Sequence, residues 1–164
     1  MNNETLNAAF HWKFEAKDKD GNLKWSDEGK NLIVNTGLNW LLENDVAAST
    51  LSIGLTDGTP TPAAGDTMAS HAGWAEVTAY SEGTRQTWTT PATATGGALN
   101  NTASAAVFTM SGASTVGGGF LTTDSTKGGA AGTLISVKAA NEGDRALVGS
   151  DTLTVTVSLT YTSA

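Results

Sequence analysis

No cysteine occurs anywhere in the 164 residues. That absence excludes disulfide stapling, thiolate chemistry and cysteine-ligated metal together, and it suits folding in a reducing cytoplasm. Histidine is almost as scarce, with His11 and His71 the two in the chain, so the usual general base of hydrolytic enzymes is in short supply. Proline is limited to 3 positions, which leaves long stretches free of strand breakers. Charged residues make up 15 % of the chain, and 9 Lys and Arg face 16 Asp and Glu for a formal net charge of -7. A nucleic-acid binder needs a clustered basic surface to displace counterions from phosphate, and these scattered cations do not supply one. No run approaches the ~18 apolar residues of a membrane helix. Met1 to Asn7 has neither the basic segment nor the apolar core of a signal peptide. Neither nucleic acid nor membrane is expected as a partner.

What is plentiful is small or hydroxylated. Gly accounts for 19 residues, and Ala, Ser and Thr recur throughout. With this β-branched content and little charge, a folded β protein is expected rather than a disordered one. The length suits one domain over 1–164 that includes a short polar N-terminal arm at about 1–8.

Phe10, Trp12 and Phe14 alternate with His11, Lys13 and Glu15, the period of a half-buried strand. Asp18 to Asn22 has turn chemistry, and Leu23 and Trp25 open a return strand that Ser26 to Gly29 closes. The stretch Asn31 to Asp45 is the one helical reading. Asn35 or Thr36 is expected to cap it, and Leu38, Leu41 and Leu42 fall on one face. A helix of roughly ten residues needs a sheet to lie on, and a buried Leu41 would cost about 2–5 kcal/mol on truncation to Ala.

Further strands are expected at 50–56, with Leu51, Ile53 and Leu55 inward, and at 76–80, 86–90, 101–110, 116–123 and 133–139. Over 101–110 the inward face is either Ala106, Phe108 and Met110 or Ala105, Val107 and Thr109. The last strand alternates Leu153, Val155, Val157, Leu159 and Tyr161 with Thr and Ser. Residues 57–66 and 124–132 read as loops, 81–84, 95–97 and 141–144 as turns, and 68–73 fits no template. Gly117, Gly118 and Gly119 together predict a bulge or a close backbone approach. Eight or nine strands and one short helix fit an all-β, jelly-roll-like β-sandwich, with simpler sandwiches and barrels sharing the pattern.

The search for chemistry yields little. His11 lies on the polar side of its strand and His71 among small residues, positions that suit surface or structural roles. No Gly-x-Ser-x-Gly elbow, phosphate loop or His-Glu-x-x-His is present. Asp18-x-Asp20-x-Asn22 opens like a calcium loop, but Leu23 stands where the glycine belongs and Lys19 adds a cation, so a hairpin turn is the better reading. Asp57, Asp66, Asp124 and Asp144 cannot be grouped by spacing. Gly117 to Gly119 and Lys127-Gly128-Gly129 lack the strand-loop-helix setting of a nucleotide site. Trp74 and Trp88 are read as exposed and able in principle to stack on sugars, although core or interface is the commoner fate of such rings. No catalytic, cofactor-binding or metal residue is therefore named, no cofactor is expected, and the protein is read as non-enzymatic. The abundant Ser and Thr would leave strand faces hydroxyl-rich and suited to binding protein.

The run Trp12-Lys13-Phe14-Glu15, Asp18 to Trp25, Glu28 to Val34 and Thr36 to Leu42, followed by Ile53-Gly54-Leu55, Ala79-Tyr80, Thr84-Arg85 and Trp88, resembles the capsid cement (head decoration) proteins of tailed bacteriophages. Asn100 to Ser104, Val107 to Thr109, Gly119 to Thr123 and Ser125 to Gly129 continue that resemblance across nearly the whole chain. The resemblance implies a jelly-roll-like structural protein on the outer surface of the virion head, made in the host cytoplasm. It would bind the major capsid protein, bridge its subunits and self-associate as a dimer or trimer. The family brings no catalytic residue, and the contact residues are unspecified. Two alternatives are a head-fibre or tail accessory domain binding a host glycan, which requires an exposed cluster of Trp74, Trp88 or Tyr80, and a small hydrolase, which requires His11 or His71 beside a carboxylate and a serine.

Overall fold

Alternation in the first segment produces a strand with one dry and one wet face, and most of the chain repeats that device. A computed structural model describes residues 6–163, with the backbone alone for Leu6, Leu42, Glu43, Thr162 and Ser163. In chain order it contains β1 (Leu6–Lys17), β2 (Leu23–Lys30), β3 (Leu32–Ile33), α1 (Asn35–Glu43), β4 (Ser52–Thr56), β5 (Gln86–Thr87) and β6 (Ala98–Asn100). After a 3-10 turn at Thr102–Ser104 come β7 (Ala106–Thr109), β8 (Ser114–Val116), β9 (Gly118–Thr122), β10 (Leu134–Ala139), β11 (Arg145–Leu147) and β12 (Thr152–Ser163).

The chain is an all-β sandwich. The larger sheet runs β2-β1-β12-β6, with β7 also paired to β12, and the second runs β3-β10-β9-β4-β5; β11 and β8 form a separate ribbon. All the named pairings are antiparallel. Phe10, Trp12 and Phe14 from the larger sheet meet Leu51, Ile53, Leu55, Leu121 and Ile135 from the second in one buried cluster. Trp88, following β5, ties the layers together: its Nε1 donates to the Val157 carbonyl at 2.9 Å, and its ring meets Phe10 edge-on at 6.0 Å.

The central strands of the second sheet, β4, β9 and β10, are buried on both faces. Val34, Met68, Trp74, Phe120, Leu134 and Val137 form a smaller core on its far side. Gly54 permits this, because a Cβ there would stand 2.2 Å from the Phe120 ring that crosses the strand. The glycine run does bring backbones close: a Cβ on Gly117 would meet the Gly58 carbonyl carbon at 2.0 Å, and one on Gly118 the Lys138 oxygen at 2.1 Å.

Several expectations need correction. The helix occupies Asn35–Glu43 rather than Asn31 to Asp45, since Leu32 and Ile33 pair with Val137 and Ser136 as strand β3. Val34 is its N-cap, with no side-chain cap; Thr36 instead donates to the Leu134 carbonyl at 3.0 Å. Its packing face is Gly37, Trp40 and Leu41, while Leu38 is 42 % exposed and the Leu42 side chain lies outside the described residues. Glu76 to Tyr80 is no strand. It makes isolated bridges at Glu76 and Tyr80, and the Tyr80 amide curls back to the Thr78 carbonyl, which breaks the period. The expected strand at 86–90 is only Gln86–Thr87, and Asn101 to Ala105 is taken up by the 3-10 turn and its flanks before β7 begins with Ala106, Phe108 and Met110 inward. Strands β6, β8 and β11 were not expected, being three residues each and too short for period two to show. Of the polar arm expected at about 1–8, Leu6 to Ala8 already belong to β1, paired with Tyr161 to Ser163; residues 1–5 lie outside the described residues.

Candidate functional site

Because the second sheet is covered on both sides, the outer face of the larger sheet is the broad open surface of the sandwich. Its composition follows from alternation along β1, β2 and β12. Register sets Ser26, Glu15, Thr154 and Val107 in one row across the sheet, and Glu28, Lys13 and Thr156 in the next. Lys30, His11, Ser158 and Asn100 form a third. The face thus has two zones, mixed charge over β2 and β1 and hydroxyls over β12. Val107, 41 % exposed, is an apolar spot within the hydroxyl zone.

The charges here are balanced locally. Lys13 Nζ lies 3.4 Å from Glu15, with both side chains well exposed, so the pair is worth little to stability and both groups stay available for contacts. Thr154, Thr156, Ser158 and Thr160 are half-buried, and β-branched side chains at such positions hold few rotamers. A face built this way can bind by shape and hydrogen bonding with a small ordering cost. His11 stands opposite Ser158 across the strand pair, and no hydrogen bond joins their side chains.

The residues singled out by sequence fall in separate places. His11 is exposed on this face. His71 stacks flat on Trp74 at 3.6 Å, and burial pushes its imidazole below the ordinary value, with Asp66 pulling the other way. Neither histidine makes an ion pair or hydrogen bond with a carboxylate among the described residues. Asp18 closes the hairpin turn, accepting from the Asp20 and Asn22 amides at 2.9 Å and from Asn22 Nδ2 at 3.0 Å. Those bonds from Asn22, led by its side chain, hold the Asp18 carboxyl below the usual range. Lys19 pairs with Asp20 at 2.8 Å.

The other four aspartates singled out lie apart, Asp66 and Asp124 bonding within their own loops and Asp57 and Asp144 tying one loop to another segment. Asp57 accepts from the Ala75 amide, Asp66 from Ala63, Asp124 from Thr126, and Asp144 from the Thr59 hydroxyl. No group of three metal-ligating side chains occurs among the described residues. Lys127 does not face a phosphate site; it donates to the Tyr80 and Glu82 carbonyls and lies 4.3 Å from the Tyr80 ring centre. Trp74, Trp88 and Tyr80 are all buried, so the exposed aromatic cluster that glycan binding requires is not formed by them.

Sequence reading missed Arg85. This guanidinium is 1 % exposed and holds Glu76 through two bonds of 3.0 and 2.8 Å. It also donates to the carbonyls of Asp124 at 2.9 Å and Gly129 at 2.5 Å, and lies 5.1 Å from the Phe120 ring centre. Glu76 in turn accepts from the Gly128 amide at 2.8 Å. The hub clamps the 76–85 and 124–132 loops to the back of the second sheet. An arginine beside turn residues in a chain short of cations was the one available signal.

Neither a family model, a curated protein nor a solved structure matches the chain.

Proposed function

We propose that the protein is a non-catalytic virion component, a capsid cement or decoration protein of a tailed phage. It binds the outside of the assembled head and bridges major capsid protein subunits. The observation that supports this most is the open outer face of the larger sheet, hydroxyl-rich over β12 and backed by a sandwich whose other sheet is buried on both faces through β4, β9 and β10. Such a protein acts by binding free energy alone. A site present only in the assembled shell stabilises that shell by mass action. The acidic net charge keeps the free protein dispersed until a shell is available.

Heads prepared with and without the protein test this reading. Electron microscopy is expected to show added density on the outer surface, and the decorated heads should resist heat better. Unchanged density together with unchanged heat resistance would sink it.

A further inference from the structure

Lysine is seldom fully buried without a carboxylate partner. Lys138 on β10 is 3 % exposed and has no carboxylate within ion-pair distance among the described residues. Alternation along β10 sends Val137 into the smaller core and Lys138 to the opposite side, toward the larger sheet. Room for it there comes from Gly29 of β2. A Cβ on Gly29 would stand 3.2 Å from Lys138 Cε, and 3.3 and 3.4 Å from the nitrogen and oxygen of the Asn141 carboxamide. The glycine leaves a niche in which an amine stem and a carboxamide lie side by side.

Both groups are held there. Lys138 Nζ donates to the Ala139 carbonyl and, at 2.8 Å, to Asn141 Oδ1. Asn141 Nδ2 donates to the Glu28 carbonyl at 2.5 Å, and the Asn141 main-chain amide donates to Asp27 Oδ2 at 2.6 Å. With a C=O bond of about 1.2 Å, Nζ lies no more than about 4 Å from the carboxamide carbon. Groups fixed at such range react with effective concentrations far above those of free reactants. Asn141 sits on the exposed turn after β10, so a small leaving molecule escapes to solvent. Burial pulls the Lys138 amine below its ordinary value, with Asp27 acting against it, and the free amine is the nucleophilic form.

We propose that Lys138 and Asn141 become joined by an intramolecular isopeptide bond, closed by the folded chain itself. Nζ attacks Cγ of Asn141; the Nζ–Cγ bond forms and the Cγ–Nδ2 bond breaks. Of the three ammonium hydrogens, one stays on the new amide and two depart with Nδ2 as ammonium ion. Atoms and charge balance with no added reagent. The remaining N–H has acceptors at hand in the Ala139 and Glu28 carbonyls. The bond ties the turn after β10 to its own strand, while the Asn141 main chain stays fastened to β2 through Asp27. It belongs to the single folded chain and stands apart from the capsid reading.

Intact mass spectrometry of the denatured full chain reads the outcome. The wild type is expected to weigh less than its sequence by one ammonia, and the converted fraction should rise on incubation at about pH 9 rather than about pH 6, as free amine increases. Lys138→Met and Asn141→Ala should each keep their full sequence mass. Trypsin should fail to cut after Lys138 in the converted chain, and fragmentation should place the bridge between residues 138 and 141. A cyclic imide at Asn141 would lose the same ammonia, but it would persist in Lys138→Met and leave Lys138 open to trypsin. That result would overturn the proposal, as would an unchanged wild-type mass after incubation at the higher pH.

Discussion

At Arg85 the relevant comparison is between the intact pair and a broken one. A buried ion pair contributes little net stability over an apolar replacement of both partners, but removing one member strands the other. Arg85→Met would leave the Glu76 carboxylate and the carbonyls of Asp124 and Gly129 facing an apolar side chain. We expect a loss of about 3–5 kcal/mol in urea unfolding, and Arg85→Lys to recover little of it because an ammonium cannot form the two-pronged contact. A loss below ~1 kcal/mol would mean that solvent reaches the site. His71 supplies a second prediction. Its folded-state pKa lies below the ordinary 6.5 through burial against Trp74, so the unfolded chain takes up the proton first. The stability it contributes is full above about pH 6.5 and declines as pH falls from there toward the folded value. Urea midpoints measured between pH 7.5 and 5.5 should drop in the wild type and drop less in His71→Gln. Neither residue was legible in sequence beyond its type, because Arg85 takes partners 9 and 39–44 positions away and His71 depends on a loop fold.

For whole elements, period two was legible and short pairing was not. β1 and β12 follow from alternation, since one face of each is dry and the other wet, and β4 alternates in type although both its faces are buried. β3 and β5 have two residues each and exist through pairing with β10 and β4, which no local pattern announces. The helix shows the same limit. Leucine spacing pointed to Leu38, whereas contact with β10 is made at Gly37, where a Cβ would lie 2.1 Å from the Ile135 oxygen. Close approach of backbone to sheet, rather than a leucine stripe, sets the orientation of α1. Gly37→Ala should therefore cost about 1–3 kcal/mol through overpacking. Leu41→Ala should cost less than the 2–5 kcal/mol of a fully buried leucine, because Leu41 is only half-buried. Chemical denaturation of the two variants side by side checks the order; equal losses would put the leucine back at the centre of the contact.

Taken as a whole, the molecule presents one uncovered sheet face and one covered sheet, and the sequence signalled the first through its Thr and Ser alternation. It could not signal the second, because the smaller core is assembled from Val34, Met68, Trp74, Phe120, Leu134 and Val137, which lie far apart in the chain. Thr156 stands near the middle of the open face, between Lys13 and the hydroxyl zone. Thr156→Arg should weaken retention on purified heads about tenfold or more, as a desolvated misfit of ~1.4 kcal/mol implies, while leaving the melting temperature within a degree or two. Undiminished retention in a co-sedimentation assay would place the contact elsewhere. The position of β12 has a further consequence, for synthesis. It pairs with β1, β6 and β7 and follows all of them in chain order. A nascent chain therefore carries one edge of β1 unpaired until the middle strand of its sheet emerges, on the order of ten seconds later at ordinary elongation rates. The net charge of -7 opposes pairing of that waiting edge with a neighbouring chain on the same messenger.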